Sequence, residues 1–215
     1  EITDPLGRLY SHRHPDAGTV DGCGWMPGGA SNTGADWIAE DFAGDLEALN
    51  SQALSLMPTG KLAWPLVQKG ERFPFIAPEA RGFAPEGLSL AERYTASLEG
   101  VAYVERLAYD MIRELSGEQM EAVYTAGGGS NSDAWLTIRS NVLNLPLYKM
   151  KHVTGAVGAA ILAASRSHFT SVTEAVRAMT QVEKIVRPSA TLAAAYEPLY
   201  HAFVGMLGKK GYLPA

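Results

Sequence analysis

Val123-Tyr124-Thr125-Ala126-Gly127-Gly128-Gly129-Ser130-Asn131-Ser132-Asp133 reads as a strand that stops at three glycines and turns into a helix. Val123, Tyr124 and Thr125 are β-branched or aromatic, which suits a pleated strand. Three glycines in a row allow positive φ and strip every Cβ from one small patch. Ser130 or Asn131 can N-cap a helix carrying Trp135, Ile138 and Val142. A bare helix N-terminus lined by glycine has free N–H groups and a positive dipole end, so it suits an anion or a flat ring. A tight turn that binds nothing would have the same local composition. Neither standard phosphate loop is present: there is no GxxxxGK[ST], and GxGxxG fails because its last glycine would fall on Ser132.

A second glycine loop lies upstream. Gly28-Gly29-Ala30-Ser31-Asn32-Thr33-Gly34 follows the strand-like run Trp25-Met26-Pro27 and has nearly the same wording. Ser31 or Asn32 is expected to cap a helix through Trp37, Ile38, Asp41 and Phe42. Ahead of this loop, residues 7–14 and 24–26 read as two strands of a hairpin around Pro15-Asp16-Ala17-Gly18. His12 and His14 share one strand face, with Asp21 and Cys23 nearby. The spacing lacks a fourth ligand, so no metal site is assigned.

These two loops, in this order, resemble the FGGY family of carbohydrate kinases. The resemblance runs from about Gly7 to about Ser165 and is strongest to the D-ribulose and D-xylulose kinase branch. It rests on Tyr10-Ser11-His12-Arg13, on Trp25 with the first glycine loop, on Gly70-Glu71-Arg72-Phe73-Pro74, and on the triple glycine. It implies an α/β actin-like ATPase (ribonuclease H-like) fold, a twisted mixed sheet flanked by helices. It also implies that residues 1–215 form one C-terminal nucleotide-binding domain of a two-domain kinase whose N-terminal domain is absent from this chain. On that reading Gly28, Gly29, Ala30, Asn32 and Thr33 lie near the phosphates of ATP, and Gly127, Gly128, Gly129, Asn131 and Ser132 surround the adenosine. ATP with Mg2+ would serve a sugar, a ketopentose such as D-ribulose or D-xylulose. The family's catalytic aspartate belongs to a motif absent here, so no catalytic residue is assigned and the isolated chain is expected to be inactive. A homodimer is compatible with the family. The family's small-residue helix under the nucleotide cleft corresponds to residues 154–164, where Thr154 stands in place of a usual glutamate.

The remaining chain is expected to be ordered throughout. Leu46, Leu49, Ala53 and Leu56 have helical spacing, and residues 61–67 read as a short strand. Residues 68–88 are rich in Gly and Pro, yet Phe73, Phe75, Ile76 and Phe83 make them an ordered excursion rather than a linker. There Glu71 or Arg72 reads equally as a ligand contact or as a buried structural pair. Residues 88–115 carry a long apolar stripe through Leu98, Val101, Ala102, Glu105, Ala108, Met111, Ile112 and Leu115, with Glu105 as a rim or paired residue. Glu99, Arg106 and Arg113 are expected on the wetter side, and Ser116-Gly117 ends the helix. Residues 146–150 read as a strand, and 171–179 and 189–207 as helices separated by Val186-Arg187-Pro188.

Composition excludes several other classes. The chain has 215 residues, 47% hydrophobic and 19% charged, with a formal charge of −5 and a pI near 5.5. Such acidity, without basic runs, argues against nucleic acid and anionic membranes as partners. One cysteine cannot form an internal disulfide, and no run approaches the roughly 20 apolar residues that span a bilayer, so a cytoplasmic setting is expected. The opening Glu-Ile-Thr-Asp, without Met, reads as mid-strand and suggests a fragment or a processed chain. A non-catalytic nucleotide-sensing or scaffold domain of the same fold is the rival reading. A Rossmann dehydrogenase is disfavoured by the failed GxGxxG.

Overall fold

The computed structural model describes residues 4–13, 24–42, 44–152 and 154–213. The chain opens with an antiparallel hairpin of β1 (Tyr10–Arg13) and β2 (Trp25–Gly28). Helices α1 (Asp36–Asp41), α2 (Leu46–Leu56) and α3 (Leu90–Ser116) follow. Then come β3 (Val123–Thr125), a 3-10 turn over Gly128–Asn131, α4 (Asp133–Leu143) and β4 (Leu147–Met150). The rest is α5 (Gly155–Ala164), α6 (Val172–Met179), β5 (Val182–Val186) and α7 (Ala190–Lys209). Strands β3, β4 and β5 form a mixed sheet in that order, β3 parallel and β5 antiparallel to β4. Among the described residues, no helix is long and apolar enough to cross a membrane. The hairpin turn, His14, Asp21 and Cys23 lie outside the described residues.

The long helix α3 is the spine. Ser89 and Glu92 form a reciprocal capping box at its start, and Gly117, at φ 75°, closes it. Its buried face packs with α2, α4 and α7 through Leu98, Ala102 and Tyr103 against Ala53, Ile138, Tyr196 and Phe203. Tyr196, Tyr200, Phe203 and Leu207 of α7 are all part of this core.

Several local expectations change. Residues 61–67 are extended but form no strand; Trp64 exchanges two backbone hydrogen bonds with Phe83 and pairing goes no further. In that register Pro85 faces Leu62 with no N–H to give, and Arg81 N donates to the Tyr212 hydroxyl instead of to Leu66. Strand β5 emerges from residues read as a connection. Its exposed Val182, Glu183, Lys184 and Ile185 show no buried face by which alternation would reveal a strand. In α5 the glycines meet nothing: an added Cβ at Gly155 or Gly158 would find open space, and only Ile161 is buried. The small-residue face, Gly155, Ala159 and Ala163, is exposed, while α5 contacts α6. Thr154 is simply its N-cap.

Glu99 is the clearest reversal. Placed on the wet side by helical spacing, it is fully buried. Its carboxyl accepts from Thr59 N at 2.9 Å, from Thr59 Oγ1 at 2.5 Å and from the Tyr196 hydroxyl at 2.9 Å. Arg106 is also mostly covered, its guanidinium 4.1 Å from the Tyr200 ring centre and paired with Glu197. Only Arg113 remains half exposed. α3 is covered on more sides than an amphipathic surface helix, so a one-stripe reading misplaces Glu99.

Burial pushes the Glu99 carboxyl up, outweighing the Thr59 and Tyr196 donors that favour its charge. The folded state thus holds this proton more tightly than the unfolded chain does. Its contribution is complete below the ordinary carboxylate range and is lost as pH climbs through the raised value. Glu99→Gln, whose carbonyl accepts and whose amide donates to Thr59 Oγ1, is expected to match wild type near about pH 4 and to exceed it near about pH 8. Glu99→Ala should cost about 2–3 kcal/mol near about pH 4 and less at higher pH, where the wild type has lost the contribution of Glu99. Chemical denaturation across pH checks both; identical pH profiles for wild type and Glu99→Gln would remove Glu99 from the titration.

Candidate functional site

Both glycine loops border one open cavity of about 580 Å3. Gly28, Gly29, Ser31 and Thr33 form one side, and Thr125, Ala126, Gly129 and Ser130 the other. The floor is α3, through Val101, Val104, Ala108 and Ile112, and Phe73 with Pro74 closes one end. The sequence therefore identifies two segments that the fold brings together. Ala30, Asn32, Gly127, Gly128, Asn131 and Ser132 belong to the same loops but do not line the cavity.

The first loop is tied from behind. Glu71, only 2% exposed, accepts from Ser31 Oγ at 2.8 Å, Asn32 N at 2.7 Å, Thr33 Oγ1 at 2.7 Å and Arg72 N at 3.0 Å. Thr33 Oγ1 also accepts from Trp64 Nε1 at 2.8 Å, and Asn32 Nδ2 donates to the Gly70 carbonyl at 3.0 Å. Of the two readings of Glu71-Arg72, the structural one describes Glu71. Arg72 stays exposed, its Nε on the Ala30 carbonyl at 2.8 Å. Gly29 is required by close approach: a Cβ there would run into the Phe73 ring. Neither Ser31 nor Asn32 caps α1, because Glu71 and Gly70 engage their groups; Ala35 stands at the cap without a side-chain bond.

The second loop has a different construction. Gly127 carries the positive φ, 88°, and Ser130 Oγ donates back to its carbonyl at 2.7 Å. Gly128 has ordinary φ, and an added Cβ would meet nothing within 4 Å. The 3-10 turn separates the glycines from α4, so the N-cap is Ser132 rather than Ser130 or Asn131. Ser132 Oγ accepts from Trp135 N at 3.1 Å and donates to Asn50 Oδ1 at 2.5 Å. Asp133 adds a carboxylate to the first turn and pairs with Lys184. The α4 N-terminus is thus capped and already holds negative charge, which disfavours an anion there and leaves the flat-ring reading.

A charged cluster completes the wall between the loops. Arg139 on α4 grips Glu105 on α3 through Nε and Nη2 at 2.7 and 2.8 Å, and gives Nη1 to Thr125 Oγ1 at 2.8 Å. Burial first, then the Glu105 charge, pushes the Tyr109 hydroxyl up to about 12. The pairing of Glu105 was legible from its place on an apolar stripe; Arg139, Tyr109 and Thr125 gave no sequence signal because their partners are distant in the chain. Asp133 lies outside this wall. Among the described residues, no group of three His, Cys, Asp or Glu side chains is placed to hold a metal.

The layering of helices on a mixed sheet is the actin-like ATPase fold. Gluconate kinase from Lactobacillus acidophilus superposes with a TM-score of 0.79 at 22% identity, over 97% of this chain and 43% of that one. Xylulose kinase from Rhodospirillum rubrum gives 0.73 at 26% identity, over 96% and 42%. Residues 16–167 match the C-terminal domain of the FGGY family of carbohydrate kinases, and the chain belongs to that family. Xylulose kinase from Staphylococcus epidermidis is 27% identical over 208 residues, 91% of this chain and 40% of its own length. The chain therefore spans about two-fifths of that curated relative.

Because Glu71 satisfies four donors at once, Glu71→Gln should free the first loop and cost about 2–3 kcal/mol. Urea unfolding read by tryptophan fluorescence tests this. An unchanged midpoint would show that the loop is held by other contacts.

Proposed function

We propose that this chain is the ATP-holding C-terminal domain of a carbohydrate kinase, acting with an N-terminal domain outside these 215 residues. The carrying observation is that two glycine loops, far apart in sequence, border one cavity. The first loop, Gly28–Gly29–Ala30 with Asn32 and Thr33, would face the phosphates, with exposed Arg72 at its rim. The second, Gly127–Gly129 with Asn131 and Ser132, would take the adenosine against bare backbone. Kinship with xylulose kinases supports a ketopentose, D-xylulose or D-ribulose, as acceptor.

The reaction would transfer the γ-phosphoryl group in line to a sugar hydroxyl, releasing ADP. Such transfer needs positioning and charge stabilisation more than covalent chemistry from the protein. Mg2+ would arrive with the nucleotide, held mainly by phosphate oxygens and water. The carboxylate in the cavity wall, Glu105, is fully engaged by Arg139 and is no general base. The base is therefore assigned to the other domain, and closure of the two would exclude water as a competing acceptor.

Two measurements test this. The 215-residue chain alone should not consume ATP with D-xylulose, D-ribulose or glycerol; turnover would show that it is self-sufficient. On this reading the adenosine also covers Gly128, outside the cavity lining, so in the intact protein Gly128→Val, for which the fold leaves room, should weaken ADP binding at least about tenfold. Gly117→Val, at φ 75°, is the control: it should cost about 1–3 kcal/mol of stability and leave ADP affinity alone. Calorimetry beside thermal unfolding separates the two. Unchanged ADP affinity in Gly128→Val would reduce the triple glycine to a turn.

A further inference from the structure

We propose that Arg139, with Glu105 and Thr125, is a positioning unit that fixes the mouth of the triple-glycine loop and thereby sets nucleotide affinity. This rests on the nucleotide reading of the cavity above. Thr125 is the last residue of β3, two positions before Gly127, where the backbone turns into positive φ. Its hydroxyl accepts from Arg139 Nη1 at 2.8 Å. Arg139 is itself immobilised by the bidentate grip on Glu105. One guanidinium thus ties α3, α4 and the end of β3 at a single point on the cavity wall. Beyond that point the loop closes on itself through Ser130 Oγ and the Gly127 carbonyl.

The placement argues for positioning rather than for stability. α3 and α4 are already joined by buried Leu98, Ala102, Ile138 and Val142. A largely buried ion pair adds little to that, because desolvation offsets its attraction. It is also a poor anion trap: Arg139 and Glu105 cancel, so the unit brings no net charge to the cavity. What the pair supplies is direction. A planar fork accepts only a narrow range of partner geometries, so Thr125, and with it the start of the loop, is held in one place. Burial and the nearby Glu105 charge hold the proton on Tyr109, one turn further along α3.

The experiment uses the intact protein and reads ADP affinity by calorimetry, KM for ATP, kcat and thermal unfolding together. Thr125→Val keeps the β-branched shape and removes one hydrogen bond. It should raise the ADP dissociation constant about 3- to 10-fold with little change in melting temperature. Arg139→Met should weaken ADP more, and Arg139→Lys should restore part of the loss, since a single ammonium replaces the fork imperfectly. In both, KM for ATP should rise by a larger factor than kcat falls. Melting temperatures that drop while ADP affinity stays at the wild-type value would make the unit merely structural and overturn the proposal. If the Arg139 variants do not fold, Thr125→Val decides alone. A wild-type protein that binds no ADP removes the nucleotide reading and the positioning role together. ADP binding that responds to Gly128→Val but not to Thr125→Val removes the positioning role alone.

Discussion

The carboxylate of Glu71 sits out of solvent at the back of the first glycine loop and takes four donors, three of them from Ser31, Asn32 and Thr33. An unpaired charge in that position would be costly, and a half-paired one nearly as much. The loop must therefore close around it, and the other features of the site follow. Thr33 is turned toward Trp64, which carries the loop onto the central aromatic core. Phe73, two residues beyond Glu71, is pressed against Gly29 and leaves that position no room for a side chain. A Gly- and Pro-rich stretch that composition alone would assign to a linker is for this reason a rigid part of the site.

The second loop is held by a different device with the same result. Its mouth is fixed at Thr125 by Arg139, and its exit at Ser132 by Asn50, which also receives the Tyr94 hydroxyl. Both loops are thus oriented by side chains on long helices or in the core rather than by their own composition. Precise sites are built in this way, with flexible glycine backbone facing the ligand and locked residues behind it. Within the two loops space demands glycine at Gly29 and torsion demands it at Gly127, while Gly128 is under neither constraint.

What the sequence made legible follows from how local each signal is. The strand, the triple glycine and the α4 pattern are encoded within a few residues, as is the stop at Gly117. All of these were readable. The Glu105 pairing was half readable, because a carboxylate on an apolar stripe needs a partner. Which partner it finds, Arg139, depends on how α3 and α4 cross. Glu99 was misplaced for a related reason: helical spacing shows one apolar face, while α3 is covered on several sides and meets Thr59 and Tyr196 beyond its stripe. β5 escaped notice because its residues are largely exposed and show no alternation. The small-residue face of α5 suggested close backbone packing, yet Gly155, Ala159 and Ala163 are exposed. A pattern that permits contact does not supply the neighbour.

The electrostatics of the cavity divide its work. Glu105 and Arg139 neutralise each other, Glu71 puts a negative charge behind the first loop, and exposed Arg72 is the cation at its rim. The α4 N-terminus is already capped by Ser132 and shares its first turn with Asp133. The wall therefore has shape and bare backbone but little net positive charge to offer a ligand, in a chain whose own formal charge is −5. That is the opposite of a P-loop, where a lysine and a free helix N-terminus meet the phosphates directly. A flat adenosine ring needs only room and edges to touch. A triphosphate needs compensating cations, and the guanidinium among the residues lining the cavity, Arg139, is already paired with Glu105. On the proposed reading, phosphate charge must be met by Mg2+ and by groups across the cleft, so adenosine recognition and phosphate stabilisation fall to opposite sides of one site. Domain closure is then the step at which the two are joined, which makes the geometry of the loop mouth, rather than local charge, the property this chain has to hold constant.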